Sequence, residues 1–189
     1  MNSEINKFVH WIRKWEGKLS RHSSDSASSY PCPTPYNGKT GYHTNSGIIY
    51  QSWVHTFGKT NDARFFAMSS EDWFKIFKES YWDGVKADKI NDITLAIFMT
   101  EIAWGSGSLQ AIKTVQKSVN ACGIKVTIDG IIGMQTITAI NSLNSRELLA
   151  VMFTERERFF RAISKGKNSV FLKGWLNRLN DFKKYFYDI

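Results

Sequence analysis

The chain is poor in cysteine and proline and has no long apolar run, and each shortage narrows what it can be. Two cysteines in 189 residues, Cys32 and Cys122, cannot form a metal cluster alone. They stand as two free thiols, or as one disulfide in an oxidising compartment. All three prolines fall in Pro31-Cys32-Pro33-Thr34-Pro35, inside a polar stretch from Lys18 to Ser46. No apolar run approaches the ~18–20 residues that a membrane span needs. The opening Met1-Asn2-Ser3-Glu4-Ile5-Asn6-Lys7 lacks the basic stretch, apolar run and small-residue cleavage site of a signal peptide. Export would then call for another machine or for membrane rupture. Four histidines, His10, His22, His43 and His55, lie too far apart for metal-ligand spacing. Zinc-finger spacing, a glycine-rich phosphate loop, an aromatic RNA-binding signature and a Gly-x-Ser-x-Gly elbow are all missing. No metal or organic cofactor is expected.

What is present is bulk and positive charge. Apolar residues make up 42% of the chain and aromatics 14%, with 7 Trp and 13 Phe. That composition excludes disorder and fills either one core or a compact two-lobed unit. Lys plus Arg is 25 against 17 Asp plus Glu, a formal charge of +8. Such a charge attracts polyanions: nucleic acid, an anionic membrane surface or an anionic cell-wall polymer. The basic residues are spread out, and Arg156, Arg158 and Arg161 alternate with Glu155 and Glu157 as on a solvated helix face. This argues against a nucleic-acid binder, which would gather its cations on one surface.

Apolar spacing gives about eight helices and little strand. Ile5, Phe8, Val9, Ile12 and Trp15 mark the first helix, which stops at Glu16-Gly17. The long polar loop to Ser46 is of the kind that serves function or stays disordered. Helical pattern resumes over Tyr50–Phe57. Ser69-Ser70-Glu71-Asp72 reads as a helix start with serine oxygens available to cap, running to about Trp82, and Asp92 caps a helix ending at Gly105-Ser106-Gly107. Ser108 is expected to cap the next, to about Cys122. A short helix follows through Ile137 and Ile140. Ser145 starts a long one, and the last contains Phe171, Trp175, Leu179, Phe182 and Phe186. Asp129-Gly130 reads as a tight turn.

With metal, phosphate and serine chemistry set aside, carboxylates remain. Glu16 ends an apolar helix beside Trp15 and faces the long loop. A carboxylic acid held against aromatic rings holds its proton more tightly, because burial disfavours the charged form. Such a group can protonate a glycosidic oxygen at neutral pH. The plainer alternative is a helix-end surface pair. Glu101, on the apolar helix Leu95–Trp104, is expected to meet a buried arginine rather than a cleft. Trp82, Trp104 and Trp175 are expected in the core.

The segment Phe8-Val9-His10-Trp11-Ile12-Arg13-Lys14-Trp15-Glu16-Gly17 resembles the opening motif of the glycoside hydrolase 108 family. These are bacterial and phage N-acetylmuramidases, some labelled secretion activators. Thr44-Asn45-Ser46-Gly47-Ile48-Ile49 matches the family's later Thr-Asn-x-Gly-Ile, and Tyr81-Trp82-Asp83 and Trp104-Gly105-Ser106-Gly107 match further motifs. Val115-Gln116 through Asp129-Gly130-Ile131-Ile132-Gly133-Met134-Gln135-Thr136 is similar to the family's predicted peptidoglycan-binding region. Glu155-Arg156 and Gly174-Trp175-Leu176-Asn177-Arg178 match its closing helices. The ordered series covers nearly the whole chain. Lys18 and Leu19 depart from the usual Gly and Tyr, Arg21-His22 from the usual Asn-Asp, and a Pro-rich insertion separates Asp25 from Thr44.

The resemblance implies a mainly α, lysozyme-like, two-lobed helical fold with little β. Residues 1–107 would be catalytic, and 108–189 would form a peptidoglycan-binding part packed onto them. It implies a peptidoglycan hydrolase that cleaves the MurNAc-β-1,4-GlcNAc bond. Glu16 carries over as general acid. Asp25, nine residues on, and Thr44 would hold the attacking water, an order also similar to phage-type lysozymes. Asn45 and Tyr42 would line the sugar cleft. A water between the carboxyls requires a gap of roughly 6.5–9.5 Å and an inverting outcome, against ~5–5.5 Å for a retaining nucleophile. Other readings are a catalytically silent wall-binding module and a lytic transglycosylase, which would leave anhydro ends. A phage endolysin would need a holin, and a secreted effector a secretion machine.

Overall fold

The computed structural model describes residues 3–21, 41, 43–59 and 62–188. The chain falls into two compact units, residues 1–80 and 81–189. The fold is mainly α and lysozyme-like, with one two-stranded hairpin among the described residues, in line with the sequence. No helix is long and apolar enough to cross a membrane among the described residues.

In the first unit, α1 (Ser3–Trp15) buries Phe8, Trp11 and Ile12 and carries Arg13 and Lys14 in its last turn. Those cations suit the negative end of the helix dipole. Strands β1 (Thr44–Asn45) and β2 (Ile48–Ile49) pair antiparallel, Thr44 opposite Ile49 and Asn45 opposite Ile48. The turn between them, Ser46-Gly47, has φ of 51° and 80°. A type I′ hairpin turn needs positive φ at both centres; Gly47 adopts it without steric cost, while Ser46 adopts it as a non-glycine residue. Helix α2 (Tyr50–Phe57) follows directly, then α3 (Asp62–Phe66) and α4 (Ser70–Ile76). Ser69 and Asp72 form the reciprocal capping box at the start of α4.

The core of this unit is aromatic. Phe8 meets Phe77 edge-on at 6.0 Å, and Trp73 stacks on Phe77 at 5.3 Å. Phe65 meets Tyr50 at 5.3 Å and Trp53 at 5.7 Å. The backbone continues from α4 through a π-helical turn, Phe77–Trp82, where the sequence pattern shows only helix.

The second unit is built around α5 (Ile93–Ser106), in which every residue from Leu95 to Ala103 is buried. A helix apolar all round is a core helix. Asp92 caps it by accepting from the Leu95 amide at 2.9 Å. Helix α6 (Ser108–Ala121) starts after Gly107 alone, so Ser108 is its first residue and no side chain caps it, contrary to the sequence expectation. Helices α7 (Met134–Ser142), α8 (Ser145–Ile163) and α9 (Leu172–Phe186) complete the unit. Asn144 caps α8 through the Arg146 and Glu147 amides. Phe98 of α5 lies 4.4 Å from Phe153 of α8 and 4.9 Å from Phe182 of α9, ring centre to ring centre. Trp82 is buried as expected, whereas Trp104 and Trp175 are half-buried. Cys122 is a half-buried free thiol, pushed up by burial and by Glu147; Cys32 lies outside the described residues.

Candidate active site

Glu16 is the first residue past α1 and is half-buried. Trp15 beside it keeps 38% of its surface exposed, with its ring 6.2 Å from that of Trp11. Four residues on, the chain is tied down. The Ser20 amide donates to the Thr44 carbonyl at 2.8 Å, and the His43 and Thr44 amides donate to the Ser20 carbonyl at 3.2 and 3.3 Å. Four residues span at most about 14 Å. The bridge therefore keeps the backbone leaving Glu16 in register with the strand that carries Thr44.

That strand is anchored from its other face. Side chains alternate along a strand, and His43 and Asn45 are buried while Thr44 between them is half-buried. The Asn45 amide nitrogen donates to the carbonyls of Phe65 at 2.7 Å and Phe66 at 3.2 Å. The Trp73 indole donates to the Ser46 carbonyl at 2.9 Å. Asn45 thus fastens the hairpin onto α3. His43 is buried, and its Nδ1 has no hydrogen-bond partner. Asp25 and Tyr42 lie outside the described residues, and with them the Glu16–Asp25 gap.

A second set of bonds holds the helices beneath. Buried Asp62 accepts from the Tyr50 hydroxyl. Arg64 pairs with buried Asp72 through two nitrogens, one at 3.0 Å. Burial pushes the Asp72 carboxyl up, but the Arg64 pair and the Ser69 amide outweigh it, and the net shift is downward. The Arg13 guanidinium reaches Ser70 at 3.2 Å and lies over the Trp73 ring.

In the other unit, Glu101 is buried and accepts from Arg178 Nε at 3.0 Å; the partner is an arginine, as expected, but a half-buried one. Arg156, 1% exposed, lies over the Phe160 ring and donates to Ser106 at 2.9 Å. Burial lowers Arg156 to about 10, with Glu101 opposing and Arg178 reinforcing that shift. Asp129 is a turn residue, as expected. Its carboxylate accepts from the Ile131 amide and the Gln116 side chain, both at 2.8 Å, and these bonds hold it below the usual carboxylate range. Sequence reasoning missed Gln116, a buried amide that also accepts from the Gly130 backbone at 2.9 Å. It also counted Trp15 with the apolar face of the first helix, whereas Trp15 keeps 38% of its surface exposed. An aromatic next to an acid at a helix end, where the apolar period runs out, is the signal for an exposed ring. No group of three or more His, Cys, Asp or Glu able to hold a metal ion occurs among the described residues.

The family described as "Glycosyl hydrolase 108" matches residues 9–107, just over half of the chain, and that segment contains Glu16, the bridge and the hairpin. Residues 110–180 match the family described as "Predicted Peptidoglycan domain". The chain is therefore a glycoside hydrolase with peptidoglycan as its substrate class. It belongs to the glycosyl hydrolase 108 family. A solved structure, that of Brucella abortus SagA, is similar in fold, with a TM-score of 0.75 and 23% identity over 98% of this chain and 97% of that one. No curated protein matches the chain.

Proposed function

We propose that this chain is an N-acetylmuramidase that hydrolyses the MurNAc-β-1,4-GlcNAc bond, with Glu16 as the general acid. The observation that carries the reading is the Ser20–Thr44 bridge, which ties the segment leaving Glu16 to an anchored hairpin. Inverting glycoside hydrolysis needs a proton donor held within reach of the leaving oxygen, and a water held on the opposite sugar face. On this reading Glu16 supplies the proton. Asp25 activates the water, and Thr44, on the open side of its strand, helps to position it. Asn45 acts through the hairpin it fastens, and Tyr42 lines the cleft. The exposed Trp15 ring offers a flat apolar face to a sugar beside the acid. Residues 1–107 hold this chemistry, and 108–189 hold the wall.

Mass spectrometry of the fragments released from purified peptidoglycan tests the bond assignment. Reducing N-acetylmuramic acid ends are expected. Anhydro ends would mean a lytic transglycosylase, reducing N-acetylglucosamine ends a different bond, and no fragments a binding module.

A further inference from the structure

The second unit carries an exposed apolar feature outside the residues given catalytic roles. Leu109, Ile131 and Met134 are 59%, 67% and 72% exposed, and Ile128 is 42% exposed. They are four of the eight large apolar side chains exposed among the described residues. They stand on rigid backbone. Gln116 grips Asp129, Gly130 and the Ile131 carbonyl, the last at 3.1 Å. The Gly133 amide closes back on the Ile131 carbonyl at 3.1 Å. The backbone at Gly130 runs so close to Leu109 that a methyl group there would collide with the leucine side chain. Leu109 lies against the Gly130 backbone, Ile131 follows Gly130 directly and Met134 opens α7 three residues on, a ridge of exposed side chains gathered around one turn.

Its surroundings select the partner. Residues 108–144 contain three lysines, Lys113, Lys117 and Lys125, and one acid, Asp129, whose carboxylate is turned into its own loop. Lys113 flanks Gly130, and Lys89 lines a cleft of about 430 Å³ with Met134, Ile137 and Asn141. The same 37 residues contain no Phe, Tyr, Trp, His or Arg, so they offer no aromatic ring for a sugar to stack on. A second copy of the chain would bring lysine against lysine. An aliphatic ridge rimmed by lysines matches an anionic lipid surface, with acyl chains taking the ridge and headgroup phosphates the ammonium groups. We infer that the Leu109–Ile131–Met134 ridge, with Lys113 and Lys89, docks the protein on an anionic phospholipid bilayer.

Co-sedimentation of the full chain with phosphatidylglycerol-containing vesicles, and with phosphatidylcholine vesicles, tests this without wall or turnover. Its outcome is therefore separate from the muramidase reading. Binding is expected on the anionic vesicles, falling as salt rises. Ile131→Asp/Met134→Asp should weaken it about tenfold or more, because both side chains leave the apolar phase. Both positions face solvent, so the variant should keep the native melting temperature. Lys89→Ala/Lys113→Ala should weaken anionic binding and leave the neutral vesicles unchanged. No binding to anionic vesicles, or equal binding by the Asp variant, overturns the inference. So does self-association in the ultracentrifuge that the Asp variant abolishes while vesicles bind nothing.

Discussion

Two glutamates, one in each unit, sit in opposite settings. Glu16 lies past the end of a helix, half-buried, where the backbone is irregular and is held by bonds to a hairpin. Glu101 lies in the middle of the most buried helix, bonded to Arg178 and close enough to Arg156 to bear on its charge. The units differ in the same way. Residues 1–80 rest on aromatic rings and on side chains that bond to backbone carbonyls, as Asn45 and Trp73 do. Residues 81–189 rest on helix packing around α5. A carboxylate that must meet substrate cannot be spent on a buried arginine. A carboxylate that balances buried guanidinium groups cannot be spared for chemistry. A buried acid in an apolar helix is thus the more conspicuous glutamate of the two, and the proposed general acid is the other one.

Substitutions sharpen the contrast, the largest expected effect first. Glu16→Gln should cut turnover on purified walls by about 10²–10⁴-fold, with the melting temperature unchanged. Glu101→Gln should do the reverse. It leaves the buried Arg156 and the half-buried Arg178 without their carboxylate, and urea unfolding should show a loss of about 3–5 kcal/mol. Asn45→Ala strips the Phe65 and Phe66 carbonyls of their donor. It should cost about 1–3 kcal/mol and lower activity as well, because the strand bearing Thr44 loosens. Ser69→Ala opens the capping box and should cost about 1 kcal/mol by the same unfolding assay, with activity intact.

Acid should also separate a structural carboxylate from the exposed ones. The folded-state pKa of Asp72 is depressed, so its contribution is fully present above the unfolded value near 4 and is lost as pH falls through the lower folded value. Unfolding followed from pH 5 downward should therefore show a stability decline that Asp72→Asn removes.

Where local chemistry decides, the sequence was legible. Ser69 and Asp92 announce helix starts because a cap is a bond to an amide three residues on. Polar Glu101 within an apolar run announces a buried partner, but Arg178 lies 77 residues away and cannot be picked out by spacing. Ser108 misled because Gly107, the single residue between α5 and α6, takes the cap position itself and has no side chain to cap with. Helix α3 is five residues long, too short to show a period. The role of Asn45 was hidden for the same reason as Arg178: its acceptors, Phe65 and Phe66, are 20 and 21 residues on. In the candidate site, the position of Glu16 at the end of α1 followed from hydrophobic spacing. The Ser20–Thr44 bridge is a product of chain folding that no local pattern encodes.

The most direct test sets the two glutamates side by side. Reducing-end release from purified peptidoglycan would be measured for the native chain, Glu16→Gln and Glu101→Gln, each normalised to the folded fraction. The account predicts that folded Glu16→Gln is inactive, while the folded Glu101→Gln molecules keep activity close to that of the native chain. Native-like release by Glu16→Gln, or loss of activity confined to fully folded Glu101→Gln, would contradict it.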